Sequence, residues 1–171
     1  MLTKSEAIAD FLKTTDTLAY PQPLVAEAIK AKQTDLNKWR SRGLMIGWEK
    51  ETTNVEYTGR GLIAAGWMNE LAFVIGPARA SFLSQAMTEW LFTSYDMDED
   101  DMVIELRRSF DEMAEDDEHT EWVDLGLHPV LINRKAEGRV CVDERMIAFA
   151  FTQLSADWAI TARLLMERTD A

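Results

Sequence analysis

The chain has little of what disulfide-built, metal-centred or membrane-spanning proteins require. Its single cysteine, Cys141, excludes an internal disulfide and any cysteine-rich zinc site, which fits a reducing compartment. No apolar run approaches the roughly 18 to 20 residues that cross a bilayer. The opening Met1-Leu-Thr-Lys-Ser-Glu-Ala7 lacks the basic-then-apolar layout of a secretory signal. The expectation is a cytoplasmic protein with no membrane partner. Catalytic signatures are missing too: there is no glycine-rich phosphate loop, no G-x-S-x-G and no H-E-x-x-H. The two histidines, His119 and His128, and Cys141 follow no standard ligand spacing, and His119 sits in an acid run. Carboxylates are so abundant that pairs of them carry no information. We expect no catalysis, no metal and no cofactor.

What remains is ordinary globular composition, 47% hydrophobic and 28% charged over 171 residues. This is enough for one substantial core or two small ones. The net charge is −12, but it is unevenly spread. Residues 1–95 hold ten Lys/Arg against ten Asp/Glu, so the whole excess of acid lies after Tyr95. Within the neutral half, Lys30, Lys32, Lys38, Arg40 and Arg42 stand against one acid, Asp35. Such a basic stretch suits phosphate, with a solvated helix face as the plain alternative.

Helical and strand periodicities organise the first half. Thr3 and Glu6 form a capping-box pair before Ile8, Phe11 and Leu12, which share a helical face. Pro23 suits the first turn of a second short helix that turns Leu24, Val25, Ala28 and Ile29 inward. Thr34 is the expected N-cap of a third helix buried through Leu36 and Trp39, with Gly43 as its left-handed exit. Ile46 and Trp48, then Val55 and Tyr57, flank a polar stretch with the alternation of a β-hairpin. Thr58 caps a fourth helix carrying Leu62, Ile63, Gly66, Trp67 and Leu71 on one side. Pro77 opens a fifth with Leu83, Ala86, Met87, Trp90 and Leu91.

This order, with the residues that carry it, resembles the winged helix-turn-helix DNA-binding domain of the MerR family. The resemblance lies in Leu24-Val-Ala-Glu-Ala-Ile29, in Leu36-Asn-Lys-Trp39-Arg-Ser-Arg-Gly43-Leu44, and in Tyr57-Thr58 leading through Leu62-Ile63 to Asn69-Glu-Leu71. It spans residues 20–92, about half the chain. It implies that the third helix enters the major groove and that the hairpin is the wing, with double-stranded DNA as partner. The carried positions are Gln33, Thr34, Asn37, Lys38, Ser41 and Arg42, with Lys50 on the wing and Arg60 after it. Asn37 is expected to read adenine through two hydrogen bonds, and Lys38, Arg42 and Arg60 to hold phosphate.

Three departures bear on that expectation. Lys30 stands where relatives place glycine in the bend, so it needs a positive φ or a different turn. Glu49, Glu51 and Glu56 make the wing acidic, and Asn37 replaces a residue that is commonly basic. Weaker non-specific affinity than that of a typical relative is expected.

The second half carries fewer signals. Asp96–Asp101 has five acids in six residues and Asp111–Glu121 seven in eleven. The first run opens like a calcium loop but lacks its glycine and its final glutamate, so it reads as a solvated acidic segment. Val103, Leu106, Phe110 and Met113 are spaced for a helix, with a strand over Met102–Leu106 as the alternative. Val130-Leu-Ile132 and Arg139-Val-Cys-Val142 predict a hairpin turned at Lys135–Gly138, with Gly138 at positive φ. Met146–Phe151 predicts a third strand, followed by a closing helix from Ser155 with Ile160, Leu164 and Leu165 inward.

The expected fold is α+β, mainly α. A helical DNA-binding domain covers 1–95, an acidic linker or helix 96–124, and a small α+β unit for dimerisation or an unidentified effector 125–171. Two function classes follow. One is a sequence-specific transcription regulator, of the kind a phage or mobile element encodes, acting as a homodimer on a two-fold operator. The other is an acidic protein-binding module, an antirepressor or DNA mimic that keeps the winged fold as a scaffold.

Overall fold

A computed structural model describes residues 4–14, 19–51, 53–93, 102–108, 127–133, 138–142 and 146–169. The Thr3 cap, both acid runs, the calcium-like loop, His119 and the turn residues Lys135 to Glu137 lie outside them. The fold is α+β and mainly helical. Its elements are α1 (Lys4–Thr14), β1 (Tyr20–Pro21), α2 (Gln22–Ala28), α3 (Gln33–Ser41), β2 (Trp48–Glu51), β3 (Asn54–Tyr57), α4 (Gly59–Ile75) and α5 (Pro77–Thr93). The second half adds β4 (Met102–Arg108), β5 (Leu127–Asn133), β6 (Val140–Val142), β7 (Met146–Phe149) and α6 (Phe151–Thr169).

The chain divides into two compact units, residues 1–97 with 155–171, and residues 98–154. The tail from Ser155, grouped by the sequence with the second half, thus belongs with the first.

In the first unit α4 is the central helix. Leu62, Ala65, Trp67, Met68 and Leu71 are fully buried, and Gly61 to Met68 are buried without a break. A helical stretch covered on all sides has no polar face, so over residues 61–68 the one-sided stripe expected for this helix is replaced by burial all round, whereas Phe73 and Val74 near its end are exposed. Thr58 caps it as expected, its hydroxyl accepting from the Gly61 amide at 3.1 Å and donating to the Gly47 carbonyl at 3.2 Å. A Cβ on Gly61 would lie 2.0 Å from the Gly47 oxygen, and one on Gly47 would lie 2.5 Å from the Gly61 nitrogen. Both positions need glycine so that the backbone leading into β2 can lie directly on the start of α4.

The first sheet is antiparallel with order β1-β3-β2. Trp48 faces Tyr57 and Glu51 faces Asn54, so β2 and β3 pair along their whole length as a hairpin. Tyr20 pairs with Tyr57 and ties the entry of α2 to the same sheet.

Helix α3 begins at Gln33, so the expected Thr34 cap is corrected. The N-cap is Lys32 in extended backbone, without a side-chain bond, and its carbonyl accepts from the Asp35 amide at 3.0 Å. Gly43 ends α3 at φ +70° as expected, in a Schellman turn with Gly43 N–H on Arg40 O at 3.0 Å and Leu44 N–H on Trp39 O at 2.9 Å. Helix α2 ends in the same motif, with Ala31 N–H on Ala26 O at 2.9 Å. The left-handed residue here is Lys30, at φ +57°. Of the two options its side chain leaves, the chain takes the positive dihedral.

The second unit holds an antiparallel sheet of order β5-β4-β7-β6. The helix predicted through Val103, Leu106, Phe110 and Met113 is corrected to a strand over 102–108. Met102 to Leu106 are all buried, and β4 is hydrogen-bonded on both edges, so a nearly continuous apolar run suits a central strand. The predicted hairpin between residues 130–132 and 139–142 is also corrected. Strands β5 and β6 lie at opposite edges of the sheet; β6 pairs instead with β7, which follows three residues later, and Gly138 has no positive φ.

The closing helix starts earlier than expected, at Phe151, and its third predicted strand ends at Phe149. Ile160 and Leu164, expected inward, are 41% and 51% exposed. The buried stripe is Ser155, Trp158, Ala159 and Ala162, where small residues leave room for the Trp158 indole. No helix among the described residues is long and apolar enough to cross a membrane.

Candidate nucleic-acid interface

Helix α3 is amphipathic in the simplest way. Leu36 and Trp39, three apart, are 0% and 4% exposed, while Gln33, Thr34, Asn37, Lys38, Ser41 and Arg42 are all exposed. The buried side is backed by bonds from other helices. Ser81 Oγ on α5 donates to the Leu44 carbonyl just past α3 at 2.7 Å. Asn69 Nδ2 on α4 donates to the carbonyl of Ile29, at the end of α2, at 3.3 Å. The exposed face therefore stands on a fixed base.

The sequence-predicted residues divide by what they already touch. Lys38 and Arg42 are exposed at the C-terminal half of α3. Ser41 turns its hydroxyl back to donate to the Lys38 carbonyl at 3.0 Å, leaving its lone pairs as acceptors. Lys50 is exposed on β2 across from Val55. Glu49 and Glu56, both exposed, face each other across the hairpin, and a strand's period of two sets them on the side opposite Lys50. Arg60 belongs to α4, where its guanidinium is paired with Glu89 on α5 at 2.8 Å and lies 4.6 Å from the Phe92 ring centre. A phosphate at Arg60 would compete with that carboxylate.

Asn37 is the least free of the set. Its Oδ1 accepts from Gln22 Nε2 at 2.9 Å and from Arg40 Nη2 at 3.0 Å. Arg40 Nη1 also donates to Gln22 Oε1, and the guanidinium carbon lies 5.1 Å from the Trp48 ring centre. One arginine thus joins the start of α2, the middle of α3 and the base of the hairpin. Its stacking on Trp48 contributes about 0.5 to 1 kcal/mol for such a partly exposed pair.

Beneath it Tyr57 is buried, with its hydroxyl within reach of the Arg40 guanidinium but without a well-formed hydrogen bond. Burial raises the Tyr57 pKa above the ordinary tyrosine value, and Arg40 partly opposes the rise, by hydrogen bonding toward the phenol oxygen and by its positive charge. Tyr20 is raised by burial as well.

Sequence reasoning counted Arg40 only as one charge among five, gave Trp48 only a place in the hairpin and passed over Gln22. The available signal was position: Arg40 follows the buried Trp39 and stands three residues after Asn37, at the edge of the apolar stripe. Its partners at 22 and 48 are distant in sequence and have no local signature.

No family model matches the chain, and no curated protein matches it.

Proposed function

We propose that the protein is a sequence-specific regulator of transcription that binds double-stranded DNA through a winged helix-turn-helix of the MerR type. The observation that carries this reading is the two-sided character of α3. Its apolar face is buried to completion, and its other face offers amides, hydroxyls and cations with no hydrophobic side chain among them. The dimensions of such a helix suit the major groove, where base edges and phosphates call for those groups. The element order β1-α2-α3-β2-β3 supports it, with a turn between two short helices and a hairpin next to them. In this reading α3 is the recognition helix and β2–β3 the wing.

Phosphate contact falls to Lys38 and Arg42. The acidic pair Glu49 and Glu56 limits the wing to a lesser part. Because one such domain reads only a few base pairs, the working form is a homodimer on a two-fold site. A mobility-shift titration against random genomic fragments tests the reading. Retained fragments whose binding falls steeply with salt are the expected result. No retention at micromolar protein would sink it and favour the alternative, an acidic module that targets a basic protein.

A further inference from the structure

The amide groups of Asn37 and Gln22 are held in one orientation, and the cause is Arg40. An amide can usually be turned over at little cost, because its oxygen and nitrogen have the same shape. A guanidinium has only donors, so any amide atom facing it must be the oxygen. Arg40 Nη1 therefore meets Gln22 Oε1, and Arg40 Nη2 meets Asn37 Oδ1. With Oε1 committed, Gln22 turns Nε2 to the same Asn37 oxygen. The three side chains close a ring in which reversing either amide would set donor against donor.

The consequence lies at the exposed end. Both lone pairs of Asn37 Oδ1 are taken, one by Gln22 and one by Arg40. Asn37 is exposed, and its Nδ2 has no acceptor among the described residues. An unrestrained asparagine reads adenine by accepting from N6 while donating to N7. Here the accepting half of that pair is occupied. What Asn37 can offer is two N–H donors.

We propose that Asn37 is a donor-only reader that selects guanine, with Gln22 and Arg40 as its positioning residues. Guanine alone presents two adjacent acceptors, O6 and N7, in the major groove, whereas adenine sets its N6 donor beside N7. The proposal rests on the DNA-binding reading above and replaces adenine, the base expected from the residue type alone.

The test uses the full chain and selection from random-sequence duplexes, run in parallel with the wild type and with Asn37→Ala. Because Asn37 is exposed, its truncation leaves the core intact. The base position whose preference disappears in the variant is the Asn37 contact. Guanine is expected there, favoured about fivefold to tenfold in the wild type and not at all in the variant. Arg40→Gln should then release the amide, since glutamine can accept as well as donate, and adenine should gain on guanine at that position. Gln22→Leu frees one lone pair of Oδ1 from the other side and answers the same question if Arg40→Gln unfolds on a thermal melt.

Adenine, thymine or cytosine at that position in the wild type overturns the proposal while leaving DNA binding in place. So does a selected site that Asn37→Ala does not alter. Guanine preference unchanged in a folded Arg40→Gln or Gln22→Leu protein overturns the positioning role. A selection that enriches no sequence at all removes the DNA-binding reading, and the proposal with it.

Discussion

The indoles of Trp67 and Trp158 meet nearly at right angles, with ring centres 5.1 Å apart and planes at 81°, and the Trp158 ring covers the backbone of Gly66. This contact joins α6 to the central helix of the first unit. Edge-to-face pairs of this kind contribute about 0.5 to 1.5 kcal/mol beyond the area they bury. A Cβ at position 66 would lie 2.5 to 2.7 Å from three atoms of the Trp158 ring. Gly66→Ala should therefore destabilise the protein by about 1 to 3 kcal/mol, even though alanine is the better helix former by about 1 kcal/mol. Chemical denaturation measures this; an unchanged or raised midpoint would show that the indole can move aside.

Lys30 offers the opposite case. It occupies the left-handed position that ends α2, where a β-carbon costs roughly 1 to 2 kcal/mol and glycine pays no such penalty. Part of the gain is lost to glycine's greater freedom in the unfolded chain. Lys30→Gly should stabilise the protein by about 0.5 to 1 kcal/mol, read as a higher denaturation midpoint with an unchanged slope. A fall in stability would mean that the exposed lysine side chain makes a contribution larger than the strain.

Lys30 also marks how far local reasoning reached. Its backbone was narrowed to two options, and the Gly43 exit, the Thr58 cap and the place of the hairpin were legible, because each depends on a few neighbouring residues and on rules of turn and cap chemistry. The buried pair Leu36 and Trp39, and hence the exposed face of α3, followed from helical spacing. The Arg40 ring was not legible, since it joins residues 15 and 18 positions apart whose types suit solvent equally well. Nor was the second sheet. The run Met102–Leu106 fits helix and strand alike until pairing on both edges decides, and no local signal says that β6 should prefer β7 to β5. On α6, Ile160 and Leu164 have helical spacing but lose the inward position to Trp158 and its small neighbours, because the close approach at Gly66 admits only that stripe.

Tyr57 and Tyr20 predict an alkaline limit. Burial raises both phenol pKa values in the folded state, so the folded protein holds those protons at pH values where the unfolded chain releases them. Their contribution is complete below the ordinary tyrosine value of about 10 and is lost as pH rises from there through the folded value. Stability should therefore fall above about pH 10. Tyr57→Phe should be within about 1 kcal/mol of the wild type at pH 7, since the hydroxyl it deletes is buried without a well-formed hydrogen bond and only approaches Arg40, and should fall less steeply at alkaline pH. Equal alkaline losses in the two proteins would show that Tyr57 does not titrate with unfolding.

If α3 binds DNA as proposed, Lys38 separates phosphate contact from base reading. Its ammonium is an exposed point charge on α3, without the fixed geometry that ties Asn37. Lys38→Ala should weaken binding to the selected site and to random DNA by the same factor and reduce the slope of log affinity against log salt by about one. A loss confined to the selected site would move Lys38 into the base-reading group.

The hairpin supplies a test in which stability and binding are read separately. Glu49 and Glu56 are exposed and directly opposite each other in the β2–β3 register, an arrangement in which like charges repel across the strands. Glu56→Lys converts that repulsion into an attraction and should raise stability by about 0.5 kcal/mol, with the gain shrinking in high salt as the exposed pair is screened. The same change alters the hairpin's charge by two units. If the hairpin lies along the DNA backbone as a wing, the variant should bind random duplexes more tightly at low salt, and its salt slope should steepen by about one as a new lysine displaces counterions. The stability gain depends only on the strand register, so it is expected whether or not DNA is touched. A variant that gains stability while its affinity and salt slope stay unchanged would place the hairpin away from phosphate and leave α3 to bind alone.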